Sequence, residues 1–188
     1  AADRAIDAAS DDFLTRSVAL DPIAATYLGI AGHEAELPDL SPDGFAERER
    51  LTRAAYAAVE QATPVDEREA VAREAFLERL GLEIETADAG LARHQVSVID
   101  SRLHEIRQVF DLMATDTEED WADVDARLAA IPAALDDYRA TLAAEAGAGR
   151  VVARRQYVEV AQQVRNWTGQ EGDGGDFFAA LAAARPAA

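Results

Sequence analysis

The chain has 188 residues, a formal net charge of −18, a hydrophobic fraction of 49% rich in alanine, and only 6% aromatics. That length suits one domain with a real core, and the charge argues against nucleic acid and anionic membrane surfaces, both of which are met through basic groups. There is no Cys, which excludes disulfides, thiolate metal sites and a cysteine nucleophile.

Residues 3–20 read as a first helix with Ile6, Ala9, Phe13 and Leu14 on one side. Asp21-Pro22 is a restart signal, with Asp as N-cap and Pro at the first helical position. The short helix that follows ends near Gly29 and Gly32, and residues 33–40 form a loop with Pro38. Ser41-Pro42 repeats the signal and opens a helix to about Ala62, stopped by Thr63-Pro64. Asp66 begins a long helix. Leu77, Leu80, Ile84, Ala87 and Leu91 hold 3-4-3-4 spacing through Gly81, which favours helix over a strand at residues 82–86. Glu69 and Arg73 sit at i and i+4 and read as a surface pair. Residues 93–101 read as an irregular connection, extended at 96–99.

Residues 103–113, LHEIRQVFDLM, carry the densest apolar stripe: Leu103, Ile106, Val109, Phe110 and Met113 share one helix face. The segment includes His104-Glu105, yet a zinc-protease helix needs a second imidazole at i+4, where this chain has Gln108. A core helix is the expectation. Thr115 to Asp120 is an acidic turn rich in caps. Beyond it Trp121, Val124, Leu128, Ile131, Leu135, Tyr138 and Leu142 keep phase for about six turns. Pro132 lies within and predicts a kinked helix or two nearly coaxial ones, ended by Gly147 and Gly149. Residues 152–167 predict an amphipathic helix with Ala153, Tyr157, Val160, Val164 and Trp167 inward. GQEGDGGD is a turn, and a last Ala-rich helix runs from about Asp176 to Arg185.

The fold class is therefore all-α, with seven or eight helices in antiparallel hairpins over a single unit, residues 1–188. All 18 basic residues are Arg, as GC-rich coding would give; salt adaptation is a weaker reading. No apolar run is long enough to span a membrane. The opening AADRAID is charged, lacks a leader and lacks an initiator Met. The chain is read as trimmed at its start, and its expected compartment is the cytoplasm.

Few residues invite chemistry. His33, His94 and His104 show no i,i+3 or i,i+4 metal spacing. The residues three before them are Ile30, Leu91 and Ser101, so the di-iron ExxH pattern is missing too. Carboxylate runs such as Glu118-Glu119-Asp120 and Asp136-Asp137 read as solvated faces that complement helix N-termini. Arg107, Arg154 and Arg155 read as partners for acidic side chains rather than phosphate holders. GDGG at 172–175 has neither the preceding strand nor the following Lys of a phosphate loop, and no GxSxG is present. No residue is assigned a catalytic, cofactor-binding or metal-binding role.

The order of segments is informative as a whole. DPIAATYLGI, LPDLSPDGFAERE, VIDSRLHEIRQVFDLM, ARLAAIPAALDDYRATL and RVVARRQYVEVAQQV together resemble the N-terminal third of the bacterial domain-of-unknown-function 885 family. The phrase IRQVFDLM is the most specific part. The resemblance implies a longer protein, a zinc metallopeptidase-like hydrolase similar to thermostable carboxypeptidases, built as a mostly helical two-sided cleft. It places the HExxH zinc helix in a C-terminal half that this chain does not contain. The expectation is thus a helical scaffold or substrate-channel wall whose partners are that catalytic half and a peptide. The acidic surface would favour basic peptides, and the outward faces of the last two helices would dock the remainder. The alternative is a stand-alone interaction module, dimeric through the stripe at 121–142. A third reading is a metal-binding bundle using His94 and His104 with carboxylates.

Overall fold

Each expected cap starts a helix. The computed structural model describes residues 4–172 and 175–185, and within them the chain forms eight α-helices. These are α1 (Ala5–Leu20), α2 (Pro22–Leu28), α3 (Pro42–Gln61), α4 (Glu67–Asp88), α5 (Arg102–Gln108), α6 (Glu118–Gly147), α7 (Arg154–Trp167) and α8 (Phe177–Ala183). Asp21, Ser41, Asp66, Thr117 and Asp176 each accept from a backbone N–H of the first turn, supplying a partner that the helix itself lacks. Thr117 and Asp120 form a reciprocal capping box. The described residues contain no sheet, only isolated bridges between Val96 and Ser101 and between Thr168 and Asp176.

Helices α1, α3 and α4 pack on one another, and α3 also meets α6. The core cluster gathers Ile23, Phe45, Ile106, Phe110, Trp121 and Tyr138 from five segments of the chain. The 103–113 stripe is buried as expected, with Ile106, Val109 and Phe110 inside. Its regular helix stops at Gln108, and a 3-10 turn, Val109–Asp111, carries the last buried residues. Helix α6 runs unbroken past Pro132, which sits on its exposed side. Gly81 is likewise interior to α4.

Several expected inward positions are not inward. Leu14, Leu91, Leu135 and Tyr157 are exposed, as is Ala153. Leu91 lies beyond the end of α4, so its phase with Leu80 and Ile84 has no helix to act through. Tyr157 flanks the buried line of α7, where Val160 is the residue fully inside.

The polar interior departs further from expectation. Glu69 and Arg73 do not pair. Glu69 is fully buried; its Oε1 accepts from the Ile6 and Asp7 amides at 3.1 and 3.4 Å, and its Oε2 from Val65 N–H at 2.9 Å. It thereby caps α1, whose own N-cap residue, Arg4, makes no side-chain cap bond. Arg73 turns to α3 and donates to the Val59 and Glu60 carbonyls. Arg127, also fully buried, donates to the carbonyls of Glu36 (2.9 Å), His33 (2.6 Å) and Pro22 (3.5 Å) and to Thr26 Oγ1 (3.0 Å). It fastens α2 and the 33–40 loop to the middle of α6. Burial lowers its pKa, yet an arginine retains its charge at any ordinary pH.

Replacing Arg127 with Met strands buried carbonyls and should lower the unfolding free energy by about 2–4 kcal/mol in urea titration. Arg127→Lys should restore less than half, because one ammonium lacks the guanidinium's fork. A Met variant as stable as the parent would refute this role.

Two glycines should respond in opposite directions. A Cβ at Gly44 would collide with the Asp39 backbone, so Gly44→Ala should cost about 1–3 kcal/mol. A Cβ at Gly81 meets only the Tyr56 ring at 3.5 Å, so Gly81→Ala should gain up to about 1 kcal/mol. Paired urea midpoints test the contrast.

Candidate functional site

The break at Asp21-Pro22 ends α1 and sets α2 off from it, which opens a groove beside α3, α4 and α5. Its volume is about 580 Å³, within the range of small-ligand sites. Phe13 and Val18 of α1, Phe45 and Leu51 of α3 and Ile84 of α4 give it apolar walls. Exposed Leu28 of α2 and Leu82 of α4 also line it.

Two guanidinium groups lie against the Phe45 ring, Arg48 at 4.5 Å and Arg102 at 5.8 Å from its centroid. They are not equivalent. Arg102 is bound by Asp21 (3.1 Å) and Glu105 (2.5 Å). Burial works against its charge, but Glu105 and Asp21 more than offset this, and its pKa rises. Arg48 donates through Nη1 to the Leu20 and Asp39 carbonyls at 3.4 and 2.8 Å and has no carboxylate partner among the described residues. Its Nη2 is buried with no acceptor among the described residues. Burial, then repulsion from Arg102, lowers its pKa. On the α4 wall, burial raises the Glu83 carboxyl; a 3.4 Å bond from Thr52 and the charge of Arg79 oppose the shift. Glu105 is also raised by burial, against the pull of Arg102.

The three histidines are kept apart by their own partners. His33 Nδ1 lies 3.5 Å from Glu36 in the loop. His94 Nδ1 lies 3.9 Å from Glu145, whose carboxylate is held by Arg150 and lowered chiefly by that bond. His104 is buried between Ser101 Oγ (2.8 Å) and Gln163 Oε1 (3.0 Å), with Trp167 edge-on. Because Gln163 Nε2 donates to the Val98 carbonyl, its Oε1 accepts from His104 Nε2–H, and Nδ1 accepts from Ser101. A serine and histidine at 2.8 Å have nucleophile–base spacing. Here both are enclosed (3% and 5% exposed), and an amide stands where a triad has a carboxylate. The trio clasps the 97–101 loop to α5 and α7.

The described residues do not fit zinc. No three His, Cys, Asp or Glu side chains converge among the described residues, and His94 and His104 contact different groups. Arg107 pairs with Asp111 and stacks on Phe177 at 3.9 Å; Asp136 pairs with Arg139. Part of the GDGG motif lies outside the described residues. No helix among the described residues is long and apolar enough to cross a membrane. Sequence reasoning missed Arg48 and Glu83. Arg48 did leave a signal, since it sits three residues from both Phe45 and Leu51 on the buried side of α3.

A family described as "Bacterial protein of unknown function (DUF885)" matches residues 22–188. The match takes in the whole groove except what α1 and Asp21 supply. No curated protein matches the chain.

A raised carboxyl has a defined consequence. With its folded pKa above the unfolded one, Glu83 binds a proton more readily in the native state. Its stability contribution is full below the ordinary glutamate range and is lost as pH rises through the raised value. Glu83→Gln should therefore reduce the fall in urea midpoint as pH rises above the ordinary glutamate range. Asp66, Asp120 and Glu145 are lowered, so their contributions are lost at more acidic pH. Glu105 is raised as Glu83 is and keeps its share of the fall in the variant, so the test is the difference in slope between parent and variant. An unchanged slope in the variant would show that Glu83 is not the group responsible.

Proposed function

The chain belongs to the DUF885 family of bacterial proteins, and on that premise we propose that it is the helical scaffold of a peptidase-like hydrolase. In this reading it forms one wall of the substrate channel, and a further part of the protein supplies zinc and the HExxH chemistry. The groove of about 580 Å³ carries the reading. It is wide enough for an extended side chain or two, apolar along its walls, and edged by polar groups. A surface of that kind positions a substrate without itself reacting with it. The five sequence segments that resemble the family support the same assignment, and the groove draws on three of them: DPIAATYLGI, the SPDGFAERE portion around Phe45 and Arg48, and VIDSRLHEIRQVFDLM through Arg102.

The remainder of the protein would meet the outward faces of α7 and α8. Val158 of α7 is 51% exposed, and Ala179, Ala180, Ala182 and Ala183 of α8 face outward. Helix α6 does not offer a comparable face, because Trp121, Val124 and Tyr138 are spent in the core. No observation favours the dimeric module.

The test is made on the product of the whole open reading frame. It should bind about one zinc per chain and cleave peptides until a chelator is added. Leu82→Glu at the groove should raise KM with little change in kcat, the signature of lost binding that does not distinguish ground from transition state. A full product with neither zinc nor peptide hydrolysis overturns the proposal.

A further inference from the structure

Arg48 stands out among the arginines around the groove. Arg102 has Asp21 and Glu105, and Arg93 has Glu49 through two bonds of 2.8 Å. Among the described residues Arg48 has only carbonyl oxygens as acceptors, and those reach one of its terminal nitrogens. The other is enclosed and unbonded. Nearby carboxylates do not complete it: Asp21 is committed to Arg102 and to the Ala24 amide, and Glu49 to Arg93. Leaving a charged donor buried without an acceptor is costly, so the position calls for an anion. The ring of Phe45 beneath it and the walls from Phe13, Val18, Leu51 and Ile84 call for an apolar body attached to that anion.

We propose that the groove binds an organic monocarboxylate, with its carboxylate on Arg48 and its apolar portion along the walls from α1, α3 and α4. Water alone would satisfy the unbonded N–H but not the charge or the apolar walls. A second carboxylate on the same ligand is disfavoured. Thr52 is one turn along α3 from Arg48 and bonds to Glu83, so the groove wall already carries a carboxylate of its own. This inference deepens the channel-wall reading, since it names what the wall holds. Binding is measured without catalysis, so a chain that binds acids within a full product that hydrolyses nothing fails the peptidase reading and not this one.

The experiment is calorimetric titration of the 188-residue chain with decanoate, decanol, decanedioate and N-acetyl-leucyl-leucine. Decanoate or the peptide acid should bind, and whichever binds more tightly identifies a fatty or a peptidic source. Decanol and decanedioate should bind at least about tenfold more weakly, the difference made by one paired charge. Arg48→Gln should remove the preference for acid over alcohol. Because Arg48 also holds Leu20 and Asp39, Leu82→Glu serves as a second variant: it changes an exposed side chain, should leave the melting temperature in place, and should weaken acid binding about tenfold or more. Equal binding of decanol and decanoate overturns the proposal. So does no binding of either acid up to about 5 mM, or acid binding that Leu82→Glu leaves untouched.

Discussion

The guanidinium of Arg127 is the interaction on which the arrangement of this protein turns. The 33–40 loop has no regular structure to satisfy its backbone, yet Pro38 and Leu40 are buried. A buried carbonyl without a donor costs on the order of 1–3 kcal/mol, so donors must come from elsewhere. Arg127 serves His33 and Glu36, Arg48 serves Asp39, and Thr141 Oγ1 donates to the Leu40 carbonyl at 2.7 Å. Two helices, α3 and α6, thus hold one irregular segment between them. Gly44 lets that segment cross the start of α3 without a side chain in the way. The groove depends on the same construction, because Arg48 reaches Phe45 while one of its nitrogens holds the loop in place.

Charge in this chain is distributed by function rather than evenly. Carboxylates and hydroxyls at Asp21, Ser41, Asp66, Thr117 and Asp176 sit at helix starts, where the dipole and free amides favour them. Much of the remaining acidity lies on outward faces such as Glu118 and Asp136. A few arginines, by contrast, go inward, Arg127 fully and Arg48, Arg93 and Arg102 in part. A guanidinium offers five donors and an apolar stem, so it can serve several carbonyls at once. In an alanine-rich protein with few large side chains, such arginines also fill volume.

The caps and the apolar phases were legible, and with them the fold class. A cap is a local event: Asp or Ser, then Pro, then a periodic run can be read without knowing what the helix packs on. The long-range polar contacts were not legible. The spacing of Glu69 and Arg73 fits a surface pair, but Glu69 lies against the start of α1, sixty-odd residues away in sequence, where unpaired amides compete for it. Local spacing carries no trace of that competitor. Arg127 and Arg48 could have been suspected, since each stands in phase with buried neighbours, Val124 and Phe45. The groove itself was invisible, because its walls come from five helices whose mutual placement no local pattern specifies.

The acidity of the whole and the cation in the groove act over different ranges, which bears on the sign of any ligand. Surface carboxylates are screened within about 8 Å at physiological salt. Their effect on a small anion is on its approach, which they slow. Once in the groove the anion meets a desolvated guanidinium in a less polar medium, where a single contact outweighs a distant field. Composition thus points toward basic ligands, while the local arrangement of Arg48 and Phe45 points toward an acidic one. The second governs affinity, because the energy of a bound pair is set by what touches it and by the water each partner has lost.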